Sequence, residues 1–318
     1  MGSHSQTPAS KPIAAVTGTT LPATRTWMPL VDLAISEDVG AGDATTPLVV
    51  SANRRGSAII EAREALVVCG LDVARAVFAR IDPRLAVTIH VEDGAIADPG
   101  DAVASINGSL RSILTAERTA LNFLMRMCGV ATFTRRFTEA VSGTGVRIVD
   151  TRKTLPGWRT LDKYATVVGG AANHRFGLYD GVLLKDNHVA IAGGAGLAVK
   201  AALSAAPANL RVQVEVESER QALEAVEAGA EYLLLDNRTP DEIRRIASQL
   251  ADRATLEATG GVTLDNVREY AETGIHRVSI GALTHSAPAA DLALEMLEME
   301  EIGEGRPAPG PVDKSIDV

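Results

Sequence analysis

From residue 147 onward the chain repeats one unit: a short apolar run, a polar or glycine terminus, then a helical segment. The runs are 147–150, 182–184, 212–216, 232–235, 256–258 and 277–280, with helical stretches such as 220–228, 240–250 and 264–272 between them. Strands that alternate with helices pair in parallel through right-handed crossovers. The pattern predicts an α/β fold, either a β/α barrel or an open doubly wound sheet, and both place the active site at the C-terminal ends of the strands. Six readable units fall short of the eight of a complete barrel, so an incomplete barrel is the expected form and the doubly wound sheet is the alternative.

Residues 27–128 have a different texture. A helix is expected over 28–39, strands over 57–60 and 65–68, and a helix over 71–81. Val87, Ile89 and Val91 then alternate as in a half-buried strand. A further helix over 115–128 carries Leu121, Leu124 and Cys128 on one stripe and Arg118, Asn122 and Arg126 on another face. This is an α+β domain, and 318 residues suit two domains. Residues 1–26 and 303–318, rich in small residues, Pro and Gly, are expected to be disordered.

Several function classes are disfavoured. Aromatic residues make up only 3%, too few for a base-stacking surface, and a formal net charge of −9 disfavours nucleic acid and anionic membranes as partners. No uncharged apolar run approaches the roughly 18 residues of a membrane span. Residues 13–24 lack the apolar centre of a signal peptide. Cys69 and Cys128 form no metal-like or redox-like pair, so a reducing cytoplasm is expected.

Chemically equipped residues gather at the strand ends. The first set is cationic: Arg152, Lys153, His174, Arg175 and Lys185. Concentrating cations at one mouth of an acidic protein calls for an anion, unless each is neutralised by an acid such as Asp150, Asp162, Asp180 or Asp186. Arginine grips a planar carboxylate with two parallel hydrogen bonds, whereas lysine offers a compact charge for phosphate oxygens. The second set is Glu215 and Asp236, at like positions on consecutive strands, which suit magnesium or ribose hydroxyls. The third is Thr259-Gly260-Gly261 before a helix and Ile280-Gly281-Ala282 one unit later, a phosphate cradle in the last two loops. Gly40-Ala41-Gly42-Asp43 follows no strand and reads as a helix end and turn.

These residues lie in a series of motifs. Glu37-Asp38-Val39-Gly40, Glu117-Arg118-Thr119-Ala120-Leu121-Asn122, Asp150-Thr151-Arg152-Lys153-Thr154, Asn173-His174-Arg175 and Leu184-Lys185-Asp186-Asn187-His188 come in that order. Val214-Glu215-Val216-Glu217, Leu235-Asp236-Asn237, Gly260-Gly261-Val262 and Ser279-Ile280-Gly281-Ala282-Leu283 complete it. The chain from about residue 27 to 297 thereby resembles quinolinate phosphoribosyltransferase, also called carboxylating nicotinate-nucleotide pyrophosphorylase. Thr259 stands where that family is expected to carry serine, and keeps the hydroxyl.

The resemblance implies an N-terminal α/β sandwich over 27–128, joined by a C-terminal helix over 288–302, and an incomplete β/α barrel over 129–287. It implies a homodimer, alone or within a hexamer, in which Arg118 is lent to the partner's site. Arg118, Arg152, His174, Arg175 and Lys185 would surround quinolinate, and Thr151 would be a further substrate-binding residue. Lys153, Lys185, Glu215 and Asp236 would hold ribose, pyrophosphate and Mg2+ and carry catalysis. Thr259, Gly260, Gly261, Ile280, Gly281 and Ala282 would take the 5′-phosphate of phosphoribosyl pyrophosphate.

Overall fold

Helix α1 (Met28–Val39) has proline in its first turn and ends at Gly40, whose φ of 51° few other residues adopt. The structure, a computed structural model, describes residues 19–299. Asp43 closes the following turn by accepting from the backbone N–H groups of Thr45 and Thr46, both at 2.9 Å, and so starts α2 (Thr46–Val49). The segment 40–43 is therefore a helix end and a cap. Residues 1–18 of the expected disordered leader lie outside the described residues. Residues 19–26 correct that expectation: Leu21 packs on the core, Thr24–Thr26 forms a 3-10 turn, and the Trp27 indole donates to Pro22 O at 2.9 Å.

Next come β1 (Arg55–Ala62), β2 (Leu66–Val67), α3 (Leu71–Ile81), β3 (Ala86–Ile89), β4 (Ile96–Ala97), β5 (Ala102–Ser109) and α4 (Leu110–Ala140). The antiparallel sheet has the order β12-β1-β5-β3, where β12 (Leu292–Met299) comes from the far end of the chain. A helix was expected over 288–302, and this is corrected. Leu292 and Met296 fit a helical spacing, but Leu292, Leu294 and Met296 fit a strand equally well. The free edge of β1 decides between them, pairing Ile60 with Leu294 and Ala58 with Met296. Residues 300–302 lie outside the described residues.

Helices α3 and α4 cover one face of this sheet, burying Val77, Phe78, Ile113, Ala120 and Leu124 against Ala58, Ile60 and Ile106. Helix α4 runs well beyond the expected 115–128, so the expected domain boundary falls inside one continuous helix. Gly129 sits where the returning chain crosses it: a Cβ there would lie 2.1 Å from Pro288 O. Cys128 is core, as expected. Burial pushes its thiol up to about 12, and its Sγ accepts from Cys69 N at 3.2 Å.

The second half contains β6 (Arg147–Val149), α5 (Arg159–Val168), β7 (Val182–Leu184), α6 (Asp186–Ala192), α7 (Ala195–Ala205), β8 (Val212–Val216) and α8 (Glu219–Glu227). It continues with β9 (Tyr232–Asp236), α9 (Pro240–Leu250), β10 (Thr255–Thr259), α10 (Val267–Ala271), β11 (Arg277–Ser279) and α11 (Ala282–His285). Its six strands are all parallel, in the order β6-β11-β10-β9-β8-β7. Strands β7 to β11 are neighbours in chain order, and β6 pairs with the last of them. A doubly wound sheet would reverse direction midway; this one wraps as an incomplete barrel. Its seam lies between β6 and β7, bridged on the β6 side by a single Val149–Ala172 pairing.

Alternation positions the site. Val214, Val216, Leu233, Leu235, Leu256, Ala258 and Val278 pack outward with helix residues such as Ala222, Ile243, Ile246 and Leu250. The residues between them, Gln213, Glu215, Leu234, Asp236, Glu257, Thr259, Arg277 and Ser279, therefore face the barrel interior.

Candidate active site

The expected barrel residues sit at or just beyond the C-terminal ends of strands. Thr151, Arg152 and Lys153 follow β6, His174 and Arg175 follow the Ala172 bridge, and Lys185 follows β7. Glu215 lies in β8, Asp236 ends β9, Thr259 ends β10, and Ile280 to Ala282 follow β11.

Several contacts bring them together. Lys185 Nζ lies 3.6 Å from Glu215 Oε2. Burial raises the Glu215 carboxyl and the charge of Asp236 adds to the rise, while Lys185 opposes it. Burial and then the charge of Arg152 push the Arg175 guanidinium below its ordinary value, as expected for two cations facing one space. The Lys153 side chain lies against the Gly281 backbone, where a Cβ would come within 2.8 Å of Lys153 Cδ. The Thr284 hydroxyl holds Lys153 O at 2.8 Å, and Thr151 Oγ1 accepts from Lys153 N at 3.0 Å. Asn237 joins the next two strand ends, donating to Asp236 Oδ2 at 2.8 Å from its side chain and to Thr259 O at 2.9 Å from its backbone.

Most of the acids that could have neutralised these cations are committed elsewhere. Asp150, fully buried, pairs with Lys163 at 2.5 Å and also accepts from His174 N at 2.8 Å. Burial pushes the Asp150 carboxyl up and the Lys163 ammonium down, and their mutual attraction opposes both shifts. Asp162 accepts from Arg126 Nε and Nη2 at 3.1 and 2.9 Å. Asp180 accepts from the backbone N–H groups of Phe176 and Gly177 at 2.7 and 2.8 Å. Arg175 spends one N–H on Gly181 O at 3.0 Å. Among the described residues, Arg152 Nε is buried with no hydrogen-bond partner. A buried charged donor in that state costs a few kcal/mol, roughly 1–3 for an ordinary group and more for a charged one, until an acceptor arrives.

His174 departs from the expected cationic set. Its Nδ1 accepts from Arg175 N at 2.7 Å, so the ring proton sits on Nε2, 3.5 Å from Glu257 Oε1. Burial, with the charges of Arg277 and Lys163, lowers its pKa to about 4. The imidazole is neutral at physiological pH.

The glycine loops are only partly as expected. Gly260 and Gly261 have φ of 90° and 64°, and a Cβ at Gly260 would lie 2.2 Å from Asn237 Oδ1, so glycine is required there. Helix α10 begins only at Val267, later than the expected 264. This loop thus offers backbone N–H groups without an adjoining helix end, whereas Gly281 directly precedes α11.

Sequence reasoning missed Lys163, Asp162 as the partner of Arg126, and the buried Glu257 with Arg277 Nε at 3.1 Å. Glu257 had a legible signal, since it alternates inward like Glu215. The other two pairings depend on how α5 lies against β6 and α4. Arg118 is exposed, and among the described residues no hydrogen bond or ion pair joins it to the mouth.

Among the described residues no group of three or more His, Cys, Asp or Glu side chains is arranged to hold a metal ion. Glu215 and Asp236 are nonetheless hard oxygen donors close enough for their charges to interact. Such a pair suits a magnesium ion that brings most of its ligands as phosphate oxygens and water.

Comparison with known proteins agrees with the geometry. The family described as "Quinolinate phosphoribosyl transferase, N-terminal domain" matches residues 43–128, and its C-terminal counterpart matches 130–295. A carboxylating nicotinate-nucleotide pyrophosphorylase of Mycobacterium leprae is 41% identical over 270 residues, covering 83% of this chain and 94% of that protein. A decarboxylating quinolinate phosphoribosyltransferase of Nicotiana glauca is 36% identical over 287 residues, covering 84% and 81%. The crystal structure of NadC from Streptococcus pyogenes superposes with a TM-score of 0.84 at 36% identity, covering 88% of this chain and 100% of that one.

Proposed function

The chain belongs to the quinolinate phosphoribosyltransferase family, and from that premise we propose that it joins quinolinate to phosphoribosyl pyrophosphate in NAD biosynthesis, releasing carbon dioxide and pyrophosphate. One observation carries the assignment of the mouth: among the described residues Arg152 keeps a buried N–H without a hydrogen-bond partner beside Arg175, while Asp150, Asp162 and Asp180 are held by other groups.

Arg152 and Arg175, with Thr151 and neutral His174 beside them, take the two quinolinate carboxylates. Lys153, Lys185, Glu215 and Asp236 take the ribose and pyrophosphate, and the loops Thr259–Gly261 and Ile280–Ala282 take the 5′-phosphate. Glu215 and Asp236 would hold Mg2+, which would supply charge neutralisation for the departing pyrophosphate.

Loss of pyrophosphate builds positive charge on the ribose anomeric carbon, which Glu215 and Asp236 face. Lys153 and Lys185 stabilise the leaving anion. The pyridine nitrogen attacks that carbon and becomes cationic. The ring then accepts the electron pair of the adjacent carbon–carboxylate bond as carbon dioxide leaves, and a proton replaces it. Positioning supplies most of the rate, with no covalent nucleophile.

Arg118 completes the site of a second copy in a homodimer with shared sites. Its exposure on α4 and its lack of a bond to its own mouth support this reading. Two buried, unbridged thiols suit a cytoplasmic setting. Incubation with quinolinate, phosphoribosyl pyrophosphate and magnesium should release carbon dioxide and yield nicotinate mononucleotide. If quinolinate is left untouched while nicotinate in its place is converted, the acceptor assignment is wrong.

A further inference from the structure

The chain passes from β9 to α9 through residues 237–239, and the first of these has an unusual backbone. Among the described residues Asn237 is the one non-glycine position in the left-handed region, with φ of 51°. Glycine supplies that conformation at no steric cost; asparagine tolerates it better than most residues but less freely than glycine. A non-glycine residue held there marks a place where the side chain has a use.

The side chain of Asn237 is exposed, so burial of apolar surface is not that use. Its Nδ2 donates to Asp236 Oδ2 at 2.8 Å, and among the described residues no other hydrogen bond or ion pair reaches the Asp236 carboxylate. Its Oδ1 fills the space beside Gly260, where a Cβ would come within 2.2 Å of it, and its backbone N–H donates to Thr259 O at 2.9 Å. The neighbouring turn is secured by other groups. Arg238 Nε donates to Asp236 O at 3.0 Å, and Thr239 and Glu242 cap α9 reciprocally.

We propose, resting on the functional reading above, that Asn237 is a positioning residue for the transfer step. Its amide fixes the direction of the Asp236 carboxylate, and the same residue holds the turn at Gly260 against that strand end. The ribose, facing Asp236, and the 5′-phosphate, seated in the loop Thr259–Gly261, are thereby set at a constant spacing. Small errors in such a spacing cost rate rather than stability.

The test compares the unaltered protein with Asn237→Gly and Asn237→Asp. The glycine variant loses the amide and keeps the left-handed backbone, so its Tm should stay within about 2 °C of the unaltered value. Its kcat should fall roughly 10- to 100-fold, and its Kd for phosphoribosyl pyrophosphate with magnesium, measured by calorimetric titration, should rise about tenfold. KM for quinolinate should barely change, because Arg152 and Arg175 are untouched. Asn237→Asp keeps the size of the side chain but removes the donor, and it should be impaired to the same degree. Unaltered kcat and Kd in the glycine variant overturn the proposal, as does full activity in the aspartate variant. So does a clearly lower Tm for Asn237→Gly, which would make the asparagine a support of the fold. Failure of the functional reading looks different: the unaltered protein then leaves quinolinate untouched, while the Kd values for phosphoribosyl pyrophosphate still decide the role of Asn237. Absence of phosphoribosyl pyrophosphate binding by the unaltered protein ends both.

Discussion

Arg126, on the long helix of the N-terminal domain, and Asp162, on the first barrel helix, form an ion pair in which the carboxylate is 1% exposed. Asp162 also accepts from Leu155 N at 3.3 Å, and Arg126 donates to Thr284 O, whose residue in turn holds the Lys153 carbonyl. One pair thus joins two domains and braces both the loop after β6 and the turn after β11. Removing a single partner leaves the other charge buried, so Arg126→Met should cost about 3–5 kcal/mol. The double variant Arg126→Met with Asp162→Leu should cost less than that. Urea unfolding of the three proteins checks it; a double variant no more stable than Arg126→Met would deny the pair its role.

Gly281→Ala acts at the mouth rather than on the fold. The new Cβ meets the flexible end of Lys153 at 2.8 Å, so the lysine moves and the backbone does not. A displaced catalytic group should lower kcat by roughly 10- to 100-fold, with Tm nearly unchanged. Steady-state kinetics and a melting curve on the same preparation separate the two effects.

Arg152→Ala removes one of the charged donors assigned to quinolinate. Hydrogen bonds to charged groups contribute about 1.5–3 kcal/mol, so KM for quinolinate should rise by at least about tenfold. KM for phosphoribosyl pyrophosphate should change far less. Equal changes in both would place Arg152 between the two substrates instead.

His174 makes stability depend on pH in a definite direction. Its pKa is about 4 in the fold against 6.5 unfolded. Between those values the unfolded chain binds more protons, so the neutral ring's contribution is complete above about pH 6.5 and declines as pH falls towards 4. The loss amounts to roughly 3 kcal/mol by linkage. His174→Gln should flatten that part of the profile relative to the unaltered protein, measured as the difference in urea stability between pH 7 and pH 4.5.

Arg118→Ala and Lys153→Ala should each be inactive alone. After subunit exchange at equal amounts, half of the dimers are mixed and each has one complete site, so about a quarter of full activity should return. Proven exchange without recovery would place Arg118 outside the shared site.

The sequence by itself determined the repeating β/α order, the position of each chemical group at a strand end, and the inward alternation of Glu215 and Asp236, because period and order are local properties of the chain. It also located Gly260 and Gly281, since residues without a Cβ mark close backbone approaches. Only the tertiary structure decided that 292–299 is a strand, because the free edge of β1 outweighs a segment whose apolar spacing suits either form. Likewise, only packing assigned Lys163 to Asp150 and Arg126 to Asp162, and made His174 neutral. Charge partners and proton affinities depend on which groups lose water together, and that is set by how distant segments meet.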